Sequence, residues 1–264
     1  MTARLATAFE RIRAGGRGGL VTYLTAGDPD ADRSAALLRA VAAAGADVLE
    51  VGVPFSDPLA DGPVIQRATE RALAAGMTLR GSLDVIRRVR REIDTPIVVF
   101  TYGNPVLRMG IDRFAREAAD AGVDGVLVLD HPVEESGALR DAIVESNLDP
   151  IFLISPTTAD ARIRATAELG RGFLYLISRL GVTGVREALP PEAAALGARV
   201  RACTGLPLAL GFGIARPEHV AEACRVADAA VVGSALVQVV AEHGSNGDLC
   251  QRASEYVKWL KSGL

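Results

Sequence analysis

The sequence has only three cysteines, Cys203, Cys224 and Cys250, and none at C-x-x-C spacing. That scarcity argues against a zinc site or a disulfide framework and fits a reducing, cytoplasmic setting. No run approaches the roughly 18 uninterrupted apolar residues of a membrane-spanning helix. Apolar residues make up 49% of the chain, but much of that share is alanine in stretches of helical spacing. Residues 1–13 lack the apolar centre of a signal peptide and read as an amphipathic helix instead. Basic charge is also in short supply. A formal net charge of −3 leaves no electrostatic footprint for nucleic acid. Neither G-x-G-x-x-G nor G-x-x-x-x-G-K-[ST] occurs, so dinucleotide and nucleoside-triphosphate sites lack support.

What is present is an alternation. Short β-rich runs at 20–25, 47–52, 96–102, 124–130, 150–155, 172–178, 207–211 and 228–233 are separated by stretches of helical spacing, among them 31–44, 79–93, 111–121 and 217–227. Runs such as IVVF and GVLVL are nearly continuous in apolar residues, as parallel strands buried on both faces are. Strand–helix repetition implies right-handed βαβ units. The expected fold is therefore α/β: a single (βα)8 TIM barrel over residues 1–264, with an extra N-terminal helix and extended loops after strands two and six. A doubly wound open sheet is the alternative, which eight strands and the chain length disfavour. No internal sequence repeat is evident. The stretches 53–95 and 183–205 are too long for one loop and one helix, and long connections tend to carry function.

Strand two contains a glutamate in an apolar run. Period-two alternation places Val48, Glu50 and Gly52 on one face and Leu49, Val51 and Val53 on the other. A buried, unpaired carboxylate costs several kcal/mol and responds with a raised pKa, which suits proton transfer near neutral pH. The competing reading is a structural glutamate held by an arginine or by backbone amides. Glu50 falls at the carboxyl end of its strand, where barrel active sites lie, and this favours the functional reading.

The loop that follows, Pro54-Phe55-Ser56-Asp57-Pro58-Leu59-Ala60-Asp61-Gly62-Pro63, is stiffened by three prolines. Asp61 is either the N-cap of a helix starting near Gly62 or a second carboxylate over the barrel mouth. Asp57, before a proline, is a turn residue or faces a partner. Further on, Gly181-Val-Thr-Gly184, Gly211-Phe-Gly-Ile214 and Gly233-Ser234 follow strands six, seven and eight. Helices begin near Pro217 and at Ser234. Backbone amides at glycines and helix N-termini attract anions, and the loops after strands seven and eight are the recurrent phosphate site of such barrels. Each glycine alone reads as a turn residue; their joint placement points to phosphate.

The segment Leu49-Glu50-Val51-Gly52-Val53-Pro54-Phe55-Ser56-Asp57-Pro58-Leu59-Ala60-Asp61-Gly62-Pro63 resembles the signature of the tryptophan synthase alpha subunit family. The likeness continues through Tyr23-Leu-Thr-Ala-Gly-Asp-Pro29, Tyr102-Gly-Asn-Pro105, Asp130-His-Pro-Val-Glu-Glu-Ser136, Ser155-Pro-Thr157, Tyr175-Leu-Ile-Ser178 and the three glycine motifs, in the family's order along nearly the whole chain. The strand-two signature is specific; the glycine motifs are shared with other phosphate-binding barrels.

The resemblance implies a lyase that cleaves indole-3-glycerol phosphate by a retro-aldol reaction to indole and D-glyceraldehyde 3-phosphate, in tryptophan biosynthesis. It assigns Glu50 as the acid/base at indole C3, Asp61 as the carboxylate that holds the indole N–H, and Tyr175 as their neighbour. It places Tyr23 against the indole ring and Gly184, Gly213, Gly233 and Ser234 around the phosphate, with Thr183 on a loop that reaches Asp61. It implies no metal and no cofactor in this chain. Pyridoxal phosphate is expected only in a beta subunit, in an alpha2beta2 heterotetramer, with Pro54, Phe55, Asp57, Tyr102 and Asn104 facing that partner. No nucleic-acid or membrane partner is implied.

Several residues depart from the family pattern. Tyr23 replaces a usual phenylalanine and needs a partner for its hydroxyl in a dry site. Leu129 is bulkier than the usual alanine, and His131 replaces an apolar residue, which reads as packing or surface variation. Leu180 and residues 185–191 diverge around the loop after strand six. His219 falls on a helix and His243 in a polar tail, without a role. A free-standing lyase that works without a beta subunit, a sugar-phosphate isomerase on the same barrel and a catalytically silent allosteric partner are the competing readings. The strand-two signature speaks against the isomerase, and intact Glu50 and Asp61 against the silent partner.

Overall fold

In a computed structural model, which describes residues 1–177, 191–211 and 213–264, eight parallel strands follow one another around a closed barrel. They are β1 (Gly19–Thr25), β2 (Val48–Gly52), β3 (Ile97–Thr101), β4 (Gly125–Val128), β5 (Asp149–Ile154), β6 (Leu174–Ile177), β7 (Leu208–Gly211) and β8 (Ala229–Val232). Closure is made by β1 on β8, with Val21 opposite Val231. The expected barrel and all eight strand positions are present. The observed strands are mostly a residue or two shorter at their ends.

The helices in chain order are α1 (Ala3–Ala14), α2 (Ala31–Ala43), α3 (Pro63–Ala74), α4 (Leu79–Arg90), α5 (Gly103–Met109), α6 (Ile111–Ala121), α7 (Gly137–Glu145), α8 (Asp160–Leu169), α9 (Pro191–Arg201), α10 (Pro217–Val226), α11 (Ser234–His243) and α12 (Leu249–Lys261). The long stretch after β2 resolves into a loop and two helices, α3 and α4. His243, expected in a polar tail, is instead the last residue of α11. Among the described residues no helix is long and apolar enough to cross a membrane.

Alternation along the strands divides the core in two. Leu49, Val51 and Val53 join the large cluster between sheet and helices. Val21, Val48, Val98, Leu127, Ile151 and Phe173 point into the barrel. Leu5, Phe9 and Ile12 of α1 belong to that inner cluster, and the Phe9 and Phe173 rings lie 5.5 Å apart. The apolar stripe of the N-terminal helix thus plugs the barrel floor, which the sequence marked only as an extra amphipathic helix.

A set of carboxylates fastens the same floor. Asp47 Oδ2 accepts the Leu20 N–H at 3.0 Å, Asp124 Oδ2 the Ile97 N–H at 2.9 Å, and Asp228 Oδ2 the Leu208 N–H at 2.7 Å. Asp149 takes the Thr2 N–H in the same way. Each also faces a cation: Lys261 on Asp47, Arg90 and Arg4 on Asp124, Arg13 and Arg201 on Asp228, and the N-terminal ammonium on Asp149. Asp47, Asp124 and Asp228 satisfy strand-start amides that the ladder leaves open, and Asp149 the amide of Thr2, the N-cap of α1.

Candidate active site

Glu50 sits in the middle of β2, opposite Tyr23 of β1 and Val98 of β3. Two residues beyond Val48, it points the same way, into the barrel. It is 0% exposed, and neither of its carboxylate oxygens has a hydrogen-bond partner among the described residues. The reading of a structural glutamate held by arginine or amides therefore fails among the described residues. Burial alone pushes its pKa up from 4.5 to about 8.

Asp61 lies just ahead of α3, whose N-cap is Gly62, and no side chain caps that helix. The capping role open to Asp61 in the sequence is not the one it takes. Its Oδ2 instead accepts the Tyr102 hydroxyl at 3.0 Å. Burial raises its pKa from 3.8 to about 6, and the phenol hydrogen bond works against that rise. The Tyr102 oxygen also accepts the Ala60 N–H at 3.1 Å. One tyrosine at the end of β3 thus ties down both the loop and its carboxylate. Burial beside Asp61 lifts the Tyr102 phenol above its usual range.

Two more tyrosines close the cup. The Tyr23 ring packs edge-on against Phe100, with centroids 5.3 Å apart. Its hydroxyl accepts from Thr25 Oγ1 at 3.4 Å, the partner that the departure from phenylalanine required. Tyr175 comes from β6 across the barrel. Burial and the Glu50 carboxylate hold its phenol well above the usual range. Burial and Asp61 do the same for Tyr23. Glycines make the room: a methyl group on Gly52 would overlap the Tyr23 hydroxyl, and one on Gly211 the Tyr175 hydroxyl.

After β8, Gly233 is the N-cap of α11 and buried Ser234 its first residue. A Cβ on Gly233 would sit in ordinary contact with Tyr23 and Ile65, so this helix end adjoins the cup. Gly213 has φ +59°, the left-handed region that favours glycine. The first four N–H groups of a helix lack intrahelical partners and attract anions, so the Gly233–Ser234 end of α11 is electropositive. Thr183 and Gly184 lie outside the described residues, as does Leu180.

The outer rim behaves less uniformly than expected. Asp57 and Asn104 are exposed and Phe55 is half-buried, its ring 5.3 Å from that of Tyr102. Pro54 is buried, and Tyr102 is 4% exposed with its hydroxyl turned inward onto Asp61. Both therefore shape the loop from beneath. Leu59 and Leu107 are 89% and 60% exposed on the same rim, a feature not singled out in the sequence. Leu129 packs on the inner cluster. His131 is half-buried, its Nε2 3.1 Å from the Glu135 carbonyl, which agrees with a packing role. Among the described residues no three His, Cys, Asp or Glu side chains gather as a metal cage requires. Alternation outward from Glu50 would have marked Phe100 and Leu153 as lumen residues.

The chain as a whole has counterparts among known proteins. The family model "Tryptophan synthase alpha chain" matches residues 9–262. The tryptophan synthase alpha chain of Solibacter usitatus is 46% identical over 261 residues, 99% of this chain and 98% of that one. That of Phenylobacterium zucineum is 48% identical over 264 residues, 99% of this chain and 95% of that one. Among solved structures, tryptophan synthase subunit alpha from Legionella pneumophila superposes with a TM-score of 0.91 at 35% identity, covering 100% of this chain and 98% of that one. A chain of Mycobacterium tuberculosis tryptophan synthase gives 0.92 at 38% identity over 100% of this chain and 98% of its own. By family match, sequence identity and superposition alike, this chain belongs to the tryptophan synthase alpha chain family.

Proposed function

We propose that this site performs the alpha reaction of tryptophan synthase, cleaving indole-3-glycerol phosphate to indole and D-glyceraldehyde 3-phosphate. The observation that carries the assignment of roles is the separation of two buried carboxyl groups. With pKa values of about 8 and about 6, Glu50 is protonated and Asp61 ionised at neutral pH. Environments that push two acids apart in this way mark the proton donor and its charged companion.

The chemistry needs both. A proton added to indole C3 turns the ring into an electron sink. Loss of the proton from the neighbouring side-chain hydroxyl then lets the C–C bonding pair flow into the ring, releasing indole and forming the aldehyde. One proton goes on and one comes off. Glu50 donates the first and, once ionised, is placed to take the second. Ionised Asp61 accepts the indole N–H and offsets positive charge growing on that nitrogen. Tyr23 and Phe100 wall the ring, Tyr175 neighbours Glu50, and Gly213, Gly233 and Ser234 hold the phosphate, together with Thr183 and Gly184. These steps ask no metal or cofactor of this chain.

Leu59, Leu107, Asp57 and Asn104 make an exposed, partly apolar rim beside the cup, suited to a partner that receives indole. We assign that partner as a tryptophan synthase beta subunit bearing pyridoxal phosphate, in an alpha2beta2 assembly. Indole release from indole-3-glycerol phosphate, measured with and without a beta subunit, tests the reaction and the coupling together. Glu50→Gln is expected to lose about 10² to 10⁴ in rate. A normal rate in that variant refutes the proton transfer.

A further inference from the structure

The floor of the barrel, at the end opposite Glu50, carries a cleft of about 520 Å³ between the C-terminal end of α1, α9 and α10. Its rim holds four arginines, Arg13, Arg17, Arg201 and Arg225, against a single aspartate, Asp228. The whole chain carries a formal net charge of −3, so this is a local reversal of sign. Two of the arginines are fixed in place. Arg13 and Arg201 both pair with Asp228, and each also donates to a backbone carbonyl, Gly205 and Leu206 respectively. Arg17 and Arg225 are exposed and have no ion pair among the described residues. The walls between them include small exposed residues, Gly16 and Ala198, and a Cβ at Gly16 would meet nothing, so its backbone is open to a ligand.

We propose that this cleft binds a small phosphorylated polyanion, at a site separate from the reacting cup. The volume falls in the range of small-molecule sites, roughly 300–1,000 Å³. Guanidinium groups present planar forks that match phosphoryl oxygens, and a concave basic wall focuses the field on a multiply charged ligand. One aspartate cannot neutralise four guanidinium groups. A polyanion would complete the charge balance by bridging Arg17 and Arg225 while Asp228 keeps Arg13 and Arg201 oriented. The recess and the negative charge elsewhere on the chain favour a small molecule over a nucleic-acid backbone.

Titration calorimetry of the full-length chain with inorganic pyrophosphate at low ionic strength tests the proposal. The Arg17→Ala/Arg225→Ala double variant is expected to weaken binding about tenfold or more, since hydrogen bonds to charged groups are lost. Ala198→Trp fills the cleft without altering its charge and is expected to weaken binding as well. Both changes lie on exposed positions far from Glu50, so indole release and thermal stability serve as controls of folding. Pyrophosphate can also reach the phosphate end of the active site, and binding there would survive both sets of substitutions. Weakening in both variants supports the cleft. Undetectable binding to the unaltered chain, survival of binding in both variants, or weakening in only one overturns it.

Discussion

Replacing Glu50 by glutamine should change how the stability of this protein depends on pH, in a way that a merely structural glutamate would not. In the folded chain the carboxyl is fully buried and has no partner among the described residues, with a pKa of about 8 against an ordinary 4.5. Between those values the unfolded chain releases the proton while the folded chain keeps it. Stability falls with rising pH wherever the native state binds more protons. The penalty is therefore absent below about pH 4.5, grows through neutrality and is complete above about pH 8. At about 1.4 kcal/mol per tenfold in proton affinity, the full effect is roughly 3–5 kcal/mol. Glutamine does not titrate, so the variant lacks this slope. Any cost of its own buried amide is independent of pH and cancels when the pH dependence alone is compared. Asp61 titrates in both proteins and cancels too. Urea denaturation of both at pH 4, 5, 6, 7, 8 and 9 measures the difference. We expect the variant to gain about 3–5 kcal/mol on the unaltered chain across this range, on the order of 10 °C in melting temperature. Parallel curves would show that Glu50 is not held protonated by burial, and a variant that loses ground as pH rises would reveal a cationic partner.

The same geometry fixes four further outcomes. The pH profile of kcat/KM should be a bell, rising near pH 6 as Asp61 ionises and falling near pH 8 as Glu50 loses its proton. Tyr102→Phe should move the acid limb upward, because the phenol that holds the Asp61 pKa down is gone, and leave the alkaline limb in place; loss of amplitude with unmoved limbs would make Tyr102 only a packing residue. Asp124→Ala strands the Ile97 N–H and the largely buried Arg90 guanidinium, and urea denaturation should show a loss of about 3–5 kcal/mol, with less than 1 kcal/mol counting against the clamp. Gly52→Ala should displace the Tyr23 ring, lowering stability by about 1–3 kcal/mol and slowing indole release, whereas Gly205→Ala, which meets open space, should change neither.

The parts of this molecule legible in the sequence are those written in short-range pattern. Apolar runs located all eight strands, and helical spacing reproduced α6 at both ends. Glu50 stood out because a carboxylate in an apolar run is a local contradiction. The parts that escaped depend on separation along the chain. Asp61 accepts from a tyrosine 41 positions away, so its bond to Tyr102 could not be distinguished from an N-cap by local rules. The clamp aspartates recur at Asp47, Asp124, Asp149 and Asp228, yet each is a single residue at or just before a strand start in a dissimilar sequence, and the repeat is visible only as a ring at the barrel floor. The cleft arginines come from both ends of the chain and meet only because β1 closes on β8.

The two ends of the barrel treat buried acids in opposite ways, and this contrast separates architecture from chemistry. At the floor every clamp aspartate receives a backbone N–H and a cation, so its charge is matched and the strand starts are pinned. Further up the barrel Glu50 receives neither among the described residues, although strands β1 and β3 bring neighbours within reach on both sides. Those neighbours are a tyrosine engaged with Thr25 and a valine that offers no donor. The same backbone geometry could have supplied an arginine or lysine at position 98, as it does beside the floor aspartates from other elements. A fold selected for stability alone would place a partner there, and a partner would pull the Glu50 pKa back toward the ordinary range. The destabilising isolation of one carboxyl group is thus what lets it hold a proton at neutral pH, and the well-satisfied floor is what allows the barrel to tolerate it.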